Sequence, residues 1–146
     1  MKKQITTIVA TVSLFVALTA VGIAGLGTSL KANIPFNFNV AGKTLPAGKY
    51  VVTNGTARGT LIIRNAEKSD AVITIVQSAE GKGDSKASLT FRRYGNQYFF
   101  ASVTDGDKTS EAPVSKAERA AARGGDHLAM ETAKPELITI SATIGQ

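Results

Sequence analysis

The segment from Ser88 to Val103 reads as a β-hairpin whose second strand is apolar on both faces. Its halves, SLTFRRY and QYFFASV, flank Gly95 and Asn96, and a glycine in the first loop position favours a two-residue type II′ turn. That turn predicts a register whose facing pairs are Phe91 and Phe100, Arg92 and Phe99, Arg93 and Tyr98, Thr90 and Ala101, and Leu89 and Ser102. Because apolar side chains then point to both sides of QYFFASV, a sheet with one solvated face does not bury the strand. A second layer or a curled sheet is required.

Several shorter segments alternate between apolar and polar residues, which is the period of a half-buried strand. Residues 33–40 read NIPFNFNV, and the run LITISATI near the end of the chain alternates in the same way. The sequence LPAG favours a reversal at residues 45–48, followed by a strand at residues 49–53. TLIIRN and AVITIVQ are rich in β-branched residues and read as a hairpin, whereas the polar run at residues 78–86 reads as a loop.

Together these segments predict an all-β, mainly antiparallel fold of about seven short strands, arranged as a small closed barrel or a curled sandwich. Pairing of the last strand with the N-terminal strand would close the sheet and shelter the isoleucines of the tail. One short helix is expected near residues 115–123, because Ser115 and Glu118 fit a capping box and Gly124 favours termination. A helix of this length must dock on the sheet, since isolated helices below about 12 to 15 residues are marginal.

The predicted helix has two faces. Val114, Ala117 and Ala121 form a small apolar stripe that suits close approach to a sheet, and a basic stripe lies near the opposite side. The simplest interpretation of the basic stripe is that it faces solvent. As a candidate interaction surface we combine the basic stripe with the first strand of the hairpin, which gives Arg92, Arg93, Tyr94, Lys116, Arg119 and Arg123.

Residues 1–32 begin with two lysines and then contain no charged residue until Lys31. This order predicts a secretory signal peptide or an uncleaved N-terminal anchor, since the run exceeds the ~18 apolar residues that could span a bilayer. Small-x-small patterns ending at Ala24, Gly27 or Ser29, and a weaker one at Ala32, leave the cleavage site open. In either case the positive-inside bias sends the remainder out of the cytoplasm, to the periplasm, the cell envelope or the medium. The predicted division is a leader at 1–32, a β-domain with the helix at 33–125, and a tail at 126–146 that ends in an additional strand.

Charge and composition exclude several function classes. The chain has 17 Lys+Arg and 11 Asp+Glu, but three of the basic residues lie in the predicted leader. Residues 33–146 therefore carry 14 − 11 = +3 with both signs interspersed, which gives no reason to predict nucleic-acid binding. The chain has no cysteine, one histidine (His127), and no Walker loop, G-x-S-x-G or H-E-x-x-H motif. We predict that it is not an enzyme and that it holds no cofactor or metal.

Two parts of the sequence carry a resemblance. They are I-P-F-x-F-x-V followed by K-x-L-P-A-G-x-Y, which ends at Tyr50, and the R-Y-G-x-x-Y-F hairpin at Arg93 to Phe99. In the order of these segments along the chain, the sequence resembles a group of small, uncharacterised exported proteins of acidobacteria. The resemblance covers roughly Ile34 to Arg123. The resemblance implies export and a β-rich fold, and it brings no activity, cofactor or catalytic residue.

The predicted function is that of an exported, non-enzymatic interaction or structural module of the envelope or the medium. Its partner would be another protein or an anionic cell-surface polymer, and membrane contact is expected only through the leader. The alternative is a small barrel that carries an apolar ligand such as a lipid. Against it, barrels of so few short strands fill their interior with side chains. The residues that would line the cavity of that carrier are Phe36, Phe38, Phe91, Phe99 and Phe100.

Overall fold

The computed structural model of the chain describes residues 28–80, 86–124 and 134–145. These ranges contain twelve strands and one helix. In chain order they are β1 (Ser29–Ile34), β2 (Phe38–Val40), β3 (Lys43–Leu45), β4 (Gly48–Asn54), β5 (Thr60–Asn65), β6 (Ala71–Ile75), β7 (Gln77–Glu80), β8 (Ser88–Tyr94), β9 (Gln97–Thr104), β10 (Lys108–Glu111), α1 (Lys116–Gly124), β11 (Glu136–Ser141) and β12 (Thr143–Gly145).

The strands form two sheets whose buried side chains share one core. The first sheet has the order β12-β1-β4-β5-β6 and is antiparallel throughout. The second has the order β11-β8-β9-β10-β7, with β2 beside β9 and β3 beside β2, and only the β2–β9 contact is parallel. The prediction of a mainly antiparallel all-β fold with one short helix is confirmed. The sheets do not close into a barrel, and a sandwich-like arrangement describes them.

The predicted number of about seven strands is too low, because single alternating runs divide between the two sheets. In NIPFNFNV, β1 ends at Ile34 in the first sheet and β2 begins at Phe38 in the second. Between them Pro35 has no amide hydrogen to donate, and the Asn37 side chain accepts a hydrogen bond from the Ala47 amide at 3.0 Å. The run AVITIVQ divides in the same way, so the chain changes sheet between β6 and β7.

The tail also divides. β11 pairs with β8 in the second sheet, where Ile138 faces Phe91, and β12 pairs with β1 in the first sheet, where Ile144 faces Leu30. Ala142 lies between the two strands and its amide donates to the Ala87 carbonyl at 2.9 Å. The expected pairing of the tail with the N-terminal strand therefore holds for β12, but it does not close the fold into a barrel.

The β8–β9 hairpin has the predicted two-residue turn at Gly95 and Asn96. Gly95 has a φ of 59°, and Asn96 is not among the residues of positive φ, which fits a type II′ turn. The three predicted pairs nearest the turn are confirmed, namely Arg93 with Tyr98, Arg92 with Phe99, and Phe91 with Phe100.

Beyond Phe91 the predicted register is wrong, because the strand pair shifts by one residue between Thr90 and Phe91. Leu89 faces Val103 and Thr90 faces Ser102, so Ala101 is the extra residue of a β-bulge. A bulge reverses the alternation of the strand that carries it. Phe100 and Val103 both enter the core as a result, and uninterrupted alternation would have placed Ser102 there instead.

Two further expectations need correction. The segment at residues 78–86 was expected to be a loop, but its first three residues continue β7, which pairs with β10. Residues 81–85 lie outside the described part of the chain. In addition, β1 begins at Ser29, so its first four residues fall within the predicted leader, and two of them, Leu30 and Ala32, are buried. The remainder of the leader, residues 1–27, lies outside the described residues, and no helix among those that are described is long and apolar enough to cross a bilayer.

Candidate functional site

An ion pair connects α1 to the second sheet on the side away from the core. The Arg92 guanidinium of β8 contacts both carboxylate oxygens of Glu118, with the Nη2–Oε2 distance at 3.2 Å. The Tyr94 hydroxyl donates to the same carboxylate at 3.3 Å, and the Arg92 Nη2 also donates to the Ala112 carbonyl at 3.4 Å. The Glu118 side chain is 2% exposed and the Arg92 side chain 17% exposed, so little water screens the pair.

The helix begins with half of the predicted capping box. Ser115 Oγ accepts a hydrogen bond from the Glu118 amide at 3.1 Å, as a residue in the N-cap position does. The Glu118 carboxylate contacts Arg92 and Tyr94, on the sheet. Glu118 therefore docks the helix as well as belonging to its first turn.

The predicted apolar stripe of the helix is wrong. Val114 and Ala117 are exposed, whereas Glu118 and Ala122 are the buried residues of α1. The reason is that Arg92 and Tyr94 provide polar partners on the sheet, so the helix turns the carboxylate of Glu118 toward them. The helix does cover the side of the hairpin on which Phe99 lies. A cover on this side was expected, because β9 has apolar side chains on both faces.

Tyr94 has a raised pKa. Partial burial is the largest cause, and the charge of Glu118 and the hydrogen bond to it act in the same direction, against a lowering by Arg92. The neutral phenol is therefore favoured over phenolate in the folded protein.

The six residues of the candidate interaction surface divide into two groups. Arg92 and Tyr94 are engaged with Glu118, and Arg93 contacts the Glu136 carboxylate at 3.3 Å and the Gly95 carbonyl at 2.7 Å. The hairpin residues thus serve mainly to connect parts of the fold. The other three residues, Lys116, Arg119 and Arg123, are exposed on the helix, and we call them the basic face.

The basic face has no carboxylate within ion-pair distance in the described part of the chain. Its three residues line one shallow pocket together with Ala120. Ala120 also lines a neighbouring groove of about 810 Å³ between the helix and the tip of the β8–β9 hairpin. The groove brings two further basic side chains beside the helix, Arg93 and Lys134, and one acidic side chain, Glu136.

The aromatic residues expected to line an apolar cavity pack against one another. The rings of Phe38 and Phe91 have centroids 5.3 Å apart, and those of Phe91 and Phe100 are 6.0 Å apart. Phe36 stacks on Tyr98 with centroids 3.9 Å apart. Phe99 lies on the opposite side of β9, against Tyr94. The five phenylalanines therefore do not surround a common space.

Catalytic and metal-binding groups were not predicted, and the described residues include no cluster of three or more potential metal ligands. His127 lies outside the described residues. The role of Glu118 was not predicted from the sequence. The signal was present, because Arg92 was predicted to face Phe99 on the side of the hairpin that needed a cover, and a buried arginine needs an acidic partner.

Comparisons with family models, with curated proteins and with solved structures gave no match to this chain.

Proposed function

We propose that the chain is an extracytoplasmic, non-enzymatic interaction module that binds an anionic cell-surface polymer through its basic face. The observation that carries the proposal is the separation of charge on α1. The acidic residue in its first turn, Glu118, is buried on the sheet side and paired with Arg92, while Lys116, Arg119 and Arg123 are exposed on the other side. The exposed side of the helix is therefore purely cationic.

The spacing of the basic face suits a polymer with closely placed charges. Positions 116, 119 and 123 span seven residues, which is about 10 Å along a helix at 1.5 Å per residue. This length is similar to the Debye length of about 8 to 10 Å in physiological salt, so one stretch of polymer interacts with all three cations at once. In the neighbouring groove Lys134 adds one further positive charge beside the helix, since Arg93 is paired there with Glu136.

The polymer class we propose is an acidic polysaccharide. Its carboxylates form charge-assisted hydrogen bonds with guanidinium and ammonium groups. The extracytoplasmic location belongs to the proposal because of the basic start and apolar run of residues 1–32, which are the pattern of an export signal. A surface polymer of this kind would be within reach of an exported module.

The test compares two triple variants of the full chain with equal charge loss. Lys116→Ala/Arg119→Ala/Arg123→Ala removes the basic face, and Lys43→Ala/Arg58→Ala/Lys68→Ala removes three exposed basic residues elsewhere. Retention on immobilised polygalacturonate is measured across a series of salt concentrations. We expect the first variant to elute at much lower salt than the parent chain, and the second to elute close to it.

Equal loss of retention in the two variants would show that only net charge matters and would overturn the proposal. Retention of the parent chain that does not change with salt would also overturn it, because screened Coulomb attraction must weaken as salt rises. Both sets of substitutions are at exposed positions, so we expect the circular dichroism spectra of all three proteins to agree. For the lipid-carrying alternative no observation among the described residues gives support.

A further inference from the structure

Strand β6 is an edge strand with an unusual composition. It lies at the end of the first sheet and, among the described residues, pairs only with β5. Its sequence is AVITI, with no charged residue and no proline. Ile73 is 64% exposed and Ile75 is 69% exposed, so the strand presents two large apolar side chains to water.

The other edge strands carry the features with which proteins prevent edge-to-edge association. β3, β7 and β11 contain the charged residues Lys43, Glu80 and Glu136, and β12 is only three residues long. Charge and short length are recognised ways to stop an edge from pairing with another chain. Within the described part of the fold β6 is the five-residue edge that has neither.

The main-chain groups of β6 alternate, so that every second residue turns its amide and carbonyl away from β5. The Val76 amide donates to the Gly59 carbonyl and the Asn65 amide to the Asp70 carbonyl, each at 2.8 Å. In an antiparallel pair such hydrogen-bonded positions recur at every second residue. Val72 and Thr74 therefore turn their amides and carbonyls toward β5, and Ala71, Ile73 and Ile75 turn theirs outward.

We propose that β6 pairs antiparallel with β6 of a second copy of this chain, around a two-fold axis at Ile73. In this register Ile73 faces Ile73 of the second copy, and Ala71 faces Ile75. All three positions have outward main-chain groups, so each pair is a hydrogen-bonded one. The two five-stranded sheets become one sheet of ten strands.

The occupant is a second copy because the edge is complementary to itself. Residues 71–75 contain no charge, so the two-fold register places no like charges opposite each other, and Asp70 falls opposite Val76. The pairing also covers exposed apolar surface, since Ile73 and Ile75 of both copies lie on the same face and become neighbours. The proposal for β6 does not depend on the polymer proposal, because it uses none of the residues of the basic face.

A single cysteine tests the register, because the chain has none of its own. Hydrogen-bonded antiparallel pairs have Cα atoms about 5.5 Å apart, which lies within the range that a disulfide spans. We expect the full chain with Ile73→Cys to form a disulfide-linked dimer on mild oxidation, seen on a non-reducing gel. The matched control is Ile75→Cys, which is equally exposed but would lie about 14 Å from its own symmetry mate, at four residues of strand rise.

The double variant Ala71→Cys/Ile75→Cys should cross-link again, because those two positions face each other. A reaction with maleimide before oxidation shows whether each thiol is accessible. If the thiol of Ile73→Cys reacts with maleimide but gives no dimer, the proposal is overturned. Equal cross-linking of Ile73→Cys and Ile75→Cys would overturn it as well, because association through the leader or by random collision has no preferred register.

Discussion

Arg92 on β8 and Glu118 on α1 form a two-point ion pair, with the Nη2–Oε2 distance at 3.2 Å, that fastens the helix to the second sheet. The pair holds the helix against the sheet, a role that a stripe of apolar side chains has in most small folds. The buried side of α1 offers only Ala122 besides Glu118, so apolar burial contributes little to its docking. The position of the basic face consequently depends on one carboxylate.

The first prediction concerns that carboxylate. We expect Glu118→Ala to lower the free energy of unfolding by about 3 kcal/mol, because it leaves the Arg92 guanidinium largely buried without its partner. The double variant Arg92→Met/Glu118→Met should be less destabilised than Glu118→Ala, since no unpaired charge remains. Urea denaturation measures both values.

The control for this prediction is an exposed ion pair. Lys49 and Glu67 lie 3.6 Å apart with both side chains about two-thirds exposed, and Glu67→Ala should change the free energy of unfolding by less than about 1 kcal/mol. If Glu118→Ala were as mild as Glu67→Ala, the ion pair would not be what holds the helix.

A second prediction tests the β-bulge at Ala101. Val103 lies in the core and Ser102 does not, so Val103→Ala should cost about 2 kcal/mol and Ser102→Ala close to nothing. In an uninterrupted strand Val103 would point away from the core, and Val103→Ala would be about as mild as Ser102→Ala. The chemical denaturation midpoints of the two variants decide between the registers. Both substitutions introduce alanine, so the difference in stability reports which of the two side chains lies in the core.

A third prediction concerns alkaline pH. Since the pKa of Tyr94 is raised above its ordinary value of 10.0, chiefly by burial and by Glu118, the folded state favours the neutral phenol. This contribution to stability is fully present below pH 10.0 and is lost as the pH rises through the higher pKa of the folded state. Tyr94→Phe should therefore make the fall in unfolding free energy above pH 10.0 less steep than in the parent chain. Identical slopes for the two proteins, measured by urea denaturation at a series of pH values, would contradict it.

The fourth prediction concerns removal of the predicted leader. Leu30 and Ala32 are buried in β1, and the Ser29 hydroxyl donates to the Gly145 carbonyl at 3.0 Å. If a peptidase removes the leader, we expect it to cut before Ser29, in accord with the small-x-small patterns at Ala24 and Gly27. Mass spectrometry of the protein purified from its native cells gives the answer directly. A product that begins at Asn33 would lack four of the six residues of β1 and would show that the strand is not needed in full.

The stability of truncated chains provides an independent check. A chain that begins at Thr28 should unfold at higher urea than one that begins at Asn33, since the latter lacks Leu30 and the main chain that pairs with β12. Leu30→Ala in the longer chain should by itself cost about 2 to 5 kcal/mol.

Sequence periodicity was sufficient to predict the all-β class, the β8–β9 turn and the position of the helix. These features depend on residues near one another in the chain, such as Gly95 and Asn96 in the turn or Ser115 at the helix start. Periodicity does not indicate where a strand carries a bulge or passes from one sheet to the other. Neither the bulge at Ala101 nor the passage from β6 to β7 at Val76 alters the apolar character of the run, so alternation alone gives no sign of them.

The candidate surface was predicted only in part for a related reason. The sequence does not distinguish Arg92 from Arg119. In the structure Arg92 lies opposite the carboxylate of Glu118 on α1, whereas Arg119 is exposed. That depends on how the helix is rotated over the sheet, which a helical pattern with only small apolar residues leaves undetermined. The contact of the buried Glu118 with Arg92 determines how α1 is rotated over the sheet. This role was not predicted, because Glu118 also fits a capping box, which accounts for a glutamate at that position without any contact to the sheet.

The neighbours of β1 have a consequence for the order of events when the chain folds. Its partner β12 lies at the other end of the chain, and the hydrogen bond between Ser29 and Gly145 joins residues 116 positions apart. Contacts so distant along the chain form slowly, because a long loop must close before they bring any gain. Among the described strands of the first sheet, β1 therefore has only β4 beside it until residues 143–145 have been synthesised. Folding of the first sheet is therefore not complete when β4, β5 and β6 have paired, because it still waits for a short segment that is made much later.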